Sequence, residues 1–215
     1  MKIGVLGTGM VGEAIGTKLI QLGHEVKVGS RTANNEKAAA WVKQSGAKAS
    51  QGTFADAAAF GEVLFNCTSG GASLEALGQA GAENLKGKVL IDVANPLDFS
   101  RGMPPSLLVC NTDSLGEQIQ RAFPAMKVVK SLNTMSCNLM VNPGLLKEDH
   151  LVFVSGNDAA AKATVTTILK EWFGWKSVID LGDITTARGT EMVLPLWVSL
   201  MGTLQTPVFN FKLVK

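Results

Sequence analysis

The sequence contains no tyrosine, and among its 215 residues there are only two histidines and three cysteines. The lack of tyrosine excludes the Tyr-x-x-x-Lys proton donor of short-chain dehydrogenases. Cys67, Cys110 and Cys137 are odd in number and widely spaced, and they form neither a C-x-x-C pair nor a metal-binding cluster. We therefore predict reduced thiols in a reducing compartment and no metal site.

Charge and long apolar runs are also scarce. The sequence has 20 Lys and Arg against 18 Asp and Glu, with no basic stripe or acidic tail, so we predict no nucleic-acid partner. The most apolar stretch, residues 192–202, is shorter than the roughly 18 to 20 residues of a membrane helix, and we predict a buried helix there. The amino-terminal segment has glycines where a signal peptide has leucines. The expected location is therefore the cytoplasm, with no membrane partner.

Short β-rich runs alternate with longer helical patterns, which is typical of βαβ units on a parallel sheet. Strands are predicted at residues 3–6, 25–28, 63–66, 88–93, 126–132, 151–154 and 177–181, and helices at 11–22, 36–44, 114–122 and 158–172. The third and fourth of these strands are continuously apolar, as expected of strands covered on both faces. The pattern predicts an α/β fold with a Rossmann-type, doubly wound parallel sheet and a small C-terminal α/β subdomain.

A loop-rich interval at residues 133–149 is the predicted boundary between two domains, since it contains Asn142-Pro143-Gly144. Residues 1–135 are long enough for a six-stranded nucleotide-binding domain. Residues 136–215 would then form the C-terminal subdomain.

A glycine motif follows the first predicted strand and opens a helix: Gly7-Thr8-Gly9-Met10-Val11-Gly12. Gly7 permits a tight turn, Gly9 lets the backbone approach a pyrophosphate, and Gly12 allows close packing of the helix on the strand. The helix amino terminus favours the negative charge of the phosphates. The motif predicts a dinucleotide site, and the alternative is a glycine-rich turn that binds no ligand.

The second strand ends where NAD-binding proteins carry Asp or Glu, but here the sequence reads Ser30-Arg31-Thr32. Arg31 can pair with a 2′-phosphate in bidentate fashion, and both hydroxyls can donate hydrogen bonds to it. These residues favour NADP(H). The alternative is a solvated arginine on a loop.

Small and amide residues follow three further strands, where an open parallel sheet binds its ligands. We predict that they form a floor for the ribose and nicotinamide: Cys67, Thr68, Ser69, Ala94, Asn95, Pro96 and Asn133. The alternative is that they only shape turns. None is an acid or base, and His24 and His150 are predicted to be structural or superficial, so no catalytic residue is assigned. Hydride transfer to a flavin-like ring needs no protein acid in the transfer itself.

Several of these motifs resemble those of the NADPH-dependent coenzyme F420 (deazaflavin) reductases and their relatives, which include the cytosolic domain of the six-transmembrane ferric reductases. The similar segments are Gly7-Thr8-Gly9, Val28-Gly29-Ser30-Arg31-Thr32, Lys130-Ser131-Leu132-Asn133-Thr134, Gly182-Asp183-Ile184, Arg188, Glu191, Leu194-Pro195-Leu196-Trp197 and Thr206-Pro207. The resemblance implies a homodimer that binds NADPH against a deazaflavin or flavin. The acceptor cleft would lie between the NADP-binding domain and the C-terminal subdomain, which would also contribute to the dimer interface.

The resemblance also implies that Thr8, Ser30 and Arg31 hold the 2′-phosphate, with Lys37 as an approximate match to a further lysine. The polar segment 67–73 departs from the family pattern, so the acceptor stays open between coenzyme F420 and FMN or FAD. We predict an NADPH-dependent oxidoreductase that passes hydride to such a small-molecule acceptor. The alternatives are a non-catalytic NADPH-binding redox sensor and a small imine or hydroxyacid reductase.

Overall fold

The computed structural model describes residues 1–214 and is built around one eight-stranded sheet. The strand order across this sheet is β10-β9-β8-β5-β4-β1-β2-β3, and β6 and β7 form a separate two-stranded hairpin. The strands are β1 (Lys2–Leu6), β2 (Glu25–Ser30), β3 (Ala49–Thr53), β4 (Val63–Asn66), β5 (Val89–Asp92), β6 (Leu97–Asp98), β7 (Ser106–Leu107), β8 (Lys127–Ser131), β9 (Leu151–Gly156) and β10 (Ser177–Asp180).

Six of these strands, in the order β3-β2-β1-β4-β5-β8, run parallel to one another. This is the strand order of a doubly wound dinucleotide-binding fold, in which the order reverses between β1 and β4. The four residues of β4 are all buried, as its continuous apolar sequence predicted. The predicted Rossmann-type fold class is confirmed.

The sheet continues past β8 with a change of direction. β9 pairs antiparallel with β8, and β10 pairs parallel with β9. A parallel neighbour would need a crossover of a dozen or more residues, usually containing a full helix. The chain between β8 and β9 contains only the five-residue helix α7 (Cys137–Val141) and a 3-10 turn. Because β9 pairs with β8, and β10 with β9, residues assigned to the C-terminal subdomain extend the same sheet.

Helices cover both faces of the sheet. They are α1 (Met10–Gln21), α2 (Glu36–Ser45), α3 (Phe54–Phe60), α4 (Gly70–Ala80), α5 (Ala82–Leu85), α6 (Leu115–Ala122), α7, α8 (Ala159–Thr167), α9 (Ala187–Met192) and α10 (Leu194–Leu204), with a π-helical turn at Ile168–Trp172 after α8. Asp158 caps α8 as predicted, since its Oδ1 accepts a hydrogen bond from the Ala161 amide at 2.7 Å. One apolar cluster includes α1, α2 and α8, and the other includes α3, α4 and α6.

The apolar stretch at residues 192–202 is helical, but the prediction that it is buried was wrong. Within α10 only Leu194 and Val198 are buried, while Leu196 and Leu204 are each 52% exposed. Only one side of α10 lies against other described residues, so its remaining apolar side chains reach the surface. Across residues 1–214, no helix combines the length and the apolar character needed to cross a membrane.

Candidate functional site

The glycine loop between β1 and α1 uses its three glycines in two different ways. Gly7 adopts a φ of +116°, and a Cβ there would lie 2.6 Å from the carbonyl oxygen of Cys67. A Cβ on Gly12 would lie 2.2 Å from the carbonyl oxygen of Gly7. A Cβ added to Gly9 would have no neighbouring heavy atom within 4 Å. Packing therefore requires the outer two glycines, whereas Gly9 leaves room for a ligand against the backbone.

The amino terminus of α1 begins at this open position. Gly9 is the N-cap residue, and no side chain caps the helix there. The first amides of a helix have no intrahelical partner, and they carry the positive end of the helix dipole. Met10 is 79% exposed at this end. The loop thus fits a dinucleotide pyrophosphate, which would accept hydrogen bonds from these amides.

A cavity of about 500 Å³ opens beside the loop and brings together residues from three strand ends. Nine of the predicted site residues line it: Gly7, Thr8, Gly9, Ser30, Arg31, Thr32, Cys67, Thr68 and Ser69. Sequence reasoning missed the remaining wall, which comes from Asn35 and Phe54 and from Ala72, Glu75, Ala76 and Gln79 on α4. The small alanines on this face of α4 leave the cavity wide.

Arg31 is exposed on the turn after β2, and no carboxylate lies within 4 Å of it in residues 1–214. Its guanidinium is therefore available to an anion. Ser30 is buried, and its hydroxyl already donates to the carbonyl oxygen of Thr32 at 2.6 Å. The first role of Ser30 is thus to shape the turn that presents Arg31, and its hydroxyl must rotate to donate to a phosphate.

The other predicted residues lie outside this cavity. Lys37 is exposed in the first turn of α2 and lines a small neighbouring cleft that also includes Thr8. Met10, Val11 and Gly12 form the first turn of α1. Ala94, Asn95, Pro96 and Asn133 lie beyond the ends of β5 and β8.

The two asparagines at these strand ends bind each other. Asn95 Nδ2 donates to the carbonyl oxygen of Asn133 at 2.8 Å, and Asn133 Nδ2 donates to Asn95 Oδ1 at 2.9 Å. Asn133 also donates to the carbonyl oxygen of Thr190 on α9 at 3.1 Å. Leu132, directly before Asn133, is buried with a φ of +63°. The contacts describe a shaped turn, and direct contact of these side chains with a cofactor stays a prediction.

A buried polar network that sequence reasoning missed extends behind the cavity wall. Thr68 Oγ1 donates to Asn66 Oδ1 at 2.7 Å, and Asn66 Nδ2 donates to Asp92 Oδ1 at 2.8 Å. Asn66 Nδ2 also donates to Ser73 Oγ at 3.1 Å. Asn66, Ser73 and Asp92 have no exposed surface. This network therefore fixes the orientation of Thr68 in the cavity wall.

The network ends in a buried group of three charges. Lys130 Nζ lies 2.6 Å from Asp92 Oδ2 and 2.8 Å from Glu191 Oε1, and it is 1% exposed. Glu191 also accepts hydrogen bonds from the amides of Leu115 and Gly116, at the amino terminus of α6. Burial alone would lower the pKa of Lys130, but the two carboxylates outweigh burial and raise this pKa above its ordinary value. The signal in the sequence was a lysine within a predicted strand of a parallel sheet, where both faces are expected to be covered.

The two histidines make contacts typical of structural residues, and the thiol of Cys67, although it lines the cavity, is made less reactive by its surroundings. Burial, followed by the negative charge of Asp92, raises the pKa of the Cys67 thiol, which disfavours the reactive thiolate. His24 lies 4.2 Å from Trp172 between ring centroids, and burial lowers its pKa. His150 Nε2 lies 2.9 Å from the carbonyl oxygen of Pro143, and its Nδ1 lies 2.7 Å from Asn210.

The doubly wound sheet, the glycine loop and Arg31 define an NADP-binding oxidoreductase of the Rossmann class. Residues 2–96 match the family described as "NADP oxidoreductase coenzyme F420-dependent". The F420-dependent NADP reductase of Methanothermobacter marburgensis is 30% identical over 210 residues, which cover 93% of this chain and 92% of that protein. The chain therefore belongs to the coenzyme F420-dependent NADP oxidoreductase family, and the resemblance predicted from its motifs is confirmed.

Two further comparisons agree with this family. A crystal structure of a protein from Arthrobacter sp. FB24, assigned to the F420-dependent NADP reductases, is 56% identical and superposes with a TM-score of 0.94 over the whole of both chains. Metalloreductase STEAP3 of Rattus norvegicus is 32% identical over 203 residues, which cover 91% of this chain. The chain spans only 38% of the length of that metalloreductase.

Proposed function

We propose that this oxidoreductase transfers hydride from NADPH to a flavin-like acceptor, either coenzyme F420 or a flavin. The observation that carries the proposal is the cavity that joins the open Gly9 position to the exposed Arg31. The names of the two F420-dependent reductases among its relatives support a deazaflavin as the first acceptor to test.

The residues of the chain would divide the binding of NADP(H) among them. Arg31, with Ser30 and Thr8 beside it, would hold the 2′-phosphate, and the amino terminus of α1 would hold the pyrophosphate. When bound, NADPH supplies the hydride. The turns after β4 and β5 would keep the reacting rings in position and exclude water.

The proton balance agrees with the lack of a free acid at the strand ends. Reduction of a deazaflavin consumes one hydride and one proton, and solvent can supply that proton. Asp92 and Lys130 lie at the ends of β5 and β8, and both are already paired within the group that they form with Glu191. This pairing favours a reaction that depends on positioning over one that needs a protein acid.

The test is to follow NADPH oxidation by its near-ultraviolet absorbance with coenzyme F420, FMN, FAD or no acceptor. We expect loss of absorbance with coenzyme F420 or a flavin and none in the absence of an acceptor. Arg31→Ala should slow the reaction at low NADPH, while the control Arg121→Ala, whose guanidinium pairs with Asp113, should not. Tight NADPH binding without turnover of any of these acceptors would contradict hydride transfer and favour a redox sensor.

We further propose that the protein is a homodimer that acts in the cytoplasm. The half-exposed Leu196 and Leu204 on α10 support an interface formed by the C-terminal residues. The three free cysteines, Cys67, Cys110 and Cys137, fit a reducing compartment. Light scattering after gel filtration should give twice the monomer mass for the natural protein, and Leu196→Glu should shift it towards the monomer. A monomer at all concentrations would contradict the dimer.

A further inference from the structure

Buried contacts connect the cavity wall to helix α9 without interruption. They run from Thr68 through Asn66 to Asp92, and from Asp92 through Lys130 to Glu191. The first three residues lie at or just beyond the ends of β4 and β5, Lys130 lies near the end of β8, and Glu191 lies on α9. Three neighbouring strand ends and one helix therefore share a single polar network.

Lys130 occupies the centre of this network. Its ammonium group has three donors, and it has three partners: Asp92, Glu191 and the carbonyl oxygen of Ala94, which lies at 2.7 Å. Asp92 Oδ1 in turn accepts from the amide of Ala94 at 3.2 Å. Both backbone polar groups of Ala94 are thus held by one ion pair. Removal of the ammonium would release this turn and leave two carboxylates close together in a buried site.

The turn held by Lys130 leads into the region where the nicotinamide half of a dinucleotide is expected. The cavity at the end of β2 takes the adenosine side, because Arg31 lies there. A dinucleotide bound across the strand ends then extends over β1 towards β4, β5 and β8. After Ala94 comes Asn95, which pairs with Asn133.

The backbone of this region is strained, which indicates that its shape is held by the surrounding contacts. Leu132 is buried in the left-handed region with a φ of +63°, a conformation that is unfavourable for a non-glycine residue. It lies two residues after Lys130 and directly before Asn133. Strain of this kind persists only where neighbouring interactions fix the conformation.

We propose that Lys130 is a positioning residue for the nicotinamide half of the NADPH site. It bridges Asp92 and Glu191 and thereby sets the Ala94–Asn95 turn and the orientation of Thr68. The inference rests on the proposed function, because it assumes that NADPH is the ligand. It assigns no contact between Lys130 and the cofactor.

The experiment compares two ligands by calorimetric titration of the folded protein. NADPH carries both halves of the dinucleotide, whereas adenosine 2′,5′-bisphosphate carries only the adenosine half. Lys130→Met should raise the Kd of NADPH by about tenfold, the equivalent of one lost hydrogen bond, and change the Kd of the bisphosphate by less than about twofold. The matched control is Lys162→Met, since Lys162 Nζ likewise joins a carboxylate (Asp180) to a backbone carbonyl (Gly182) but lies on α8. The Kd of both ligands should be the same in Lys162→Met as in the natural protein.

Equal weakening of both ligands, or of neither, in Lys130→Met would overturn the positioning role. If this variant does not fold, Glu191→Gln replaces it, because glutamine keeps the shape of the side chain and one accepting oxygen for Leu115 or Gly116 while it removes the charge. It should raise the Kd of NADPH by about threefold and spare the bisphosphate, and an absence of this selectivity would likewise overturn the role. If the natural protein binds NADPH but reduces no acceptor, hydride transfer is contradicted and the positioning role of Lys130 is not. The two Kd values that test the positioning role are measured without turnover. Natural protein that does not bind NADPH would overturn both proposals.

Discussion

Replacement of Arg31 by alanine tests the predicted choice of NADPH over NADH. The Arg31 side chain is exposed on the cavity rim and has no carboxylate partner within residues 1–214, so its removal breaks no described ion pair. The energetic cost should therefore come from the lost contact with the 2′-phosphate.

A hydrogen bond to a charged group contributes about 1.5–3 kcal/mol, which corresponds to a factor of about 10–150 in affinity. Because the site is open to solvent and therefore partly screened, we expect a loss of affinity below the upper limit of this range. Arg31→Ala should raise the Kd of NADPH by about one to two orders of magnitude. The Kd of NADH, which has no 2′-phosphate, should stay the same.

Fluorescence titration of both cofactors at low and high ionic strength measures these effects. In the natural protein NADPH affinity should fall with added salt, and in Arg31→Ala it should depend on salt less. The control Arg121→Ala removes an equally charged side chain that pairs with Asp113, outside the cavity. Unchanged NADPH affinity in Arg31→Ala, or equal losses for NADPH and NADH, would refute the assignment.

Three further predictions concern packing, thiol reactivity and pH. Gly12→Ala should lower the free energy of unfolding, measured in urea, by about 1–3 kcal/mol, because the added methyl group meets a backbone oxygen. Gly78→Ala, at an open helical position, should raise this free energy by about 0.5–1 kcal/mol. Equal effects of the two substitutions would contradict this explanation. Cys110 is exposed and should react with a thiol reagent well before Cys67, whose pKa is raised by burial; mass spectrometry of partly labelled protein gives the order, and faster labelling of Cys67 would contradict it. Glu117 accepts a hydrogen bond from Arg188 on α9, and this bond is the main cause that lowers the pKa of Glu117. The stabilisation from the ion pair is therefore complete above a pH of about 4.3 and is lost as the pH falls through the lowered pKa. Glu117→Gln should therefore be less stable than the natural protein in urea at neutral pH, and the difference should shrink in acid; a constant difference would refute this linkage.

The glycine loop and the elements beside it were predictable because their signals are local. An apolar strand, the glycine motif and an amphipathic helix follow one another within residues 2–21, and the structure has β1 and α1 there. The sequence Ser30-Arg31-Thr32 likewise marks the end of β2 without any long-range information. These two segments supply six of the nine predicted residues that line the cavity.

Elements without a strong local pattern were missed. β3 has the sequence ASQGT, which lacks the apolar run of the other parallel strands, and it forms because it pairs with β2 along the edge of the sheet. The hairpin of β6 and β7 has only two residues in each strand. The exposure of α10 was not predictable either, because burial depends on which elements pack against a helix and not on its composition alone.

The polar network was beyond sequence reasoning for a related reason. Asp92, Lys130 and Glu191 are far apart in the chain, and their pairing depends on the sheet order and on the return of α9 to the ends of the parallel strands. Asp92 follows an apolar run, but the sequence around each of the three residues contains no information about its partners.

The separation of these three charges along the chain has a consequence for folding during synthesis. When the ribosome has released the six parallel strands, Lys130 has Asp92 beside it, but Glu191 is still about sixty residues away in the chain. The amino terminus of α6 also lacks the carboxylate that accepts its first amides. The nascent sheet therefore carries an incompletely paired ammonium group, and the first two amides of α6 lack their carboxylate acceptor, until α9 emerges. Final consolidation of the NADP-binding region is thus coupled to a helix that is made after all six parallel strands, and a chain that stops before α9 would remain open to chaperones and proteases.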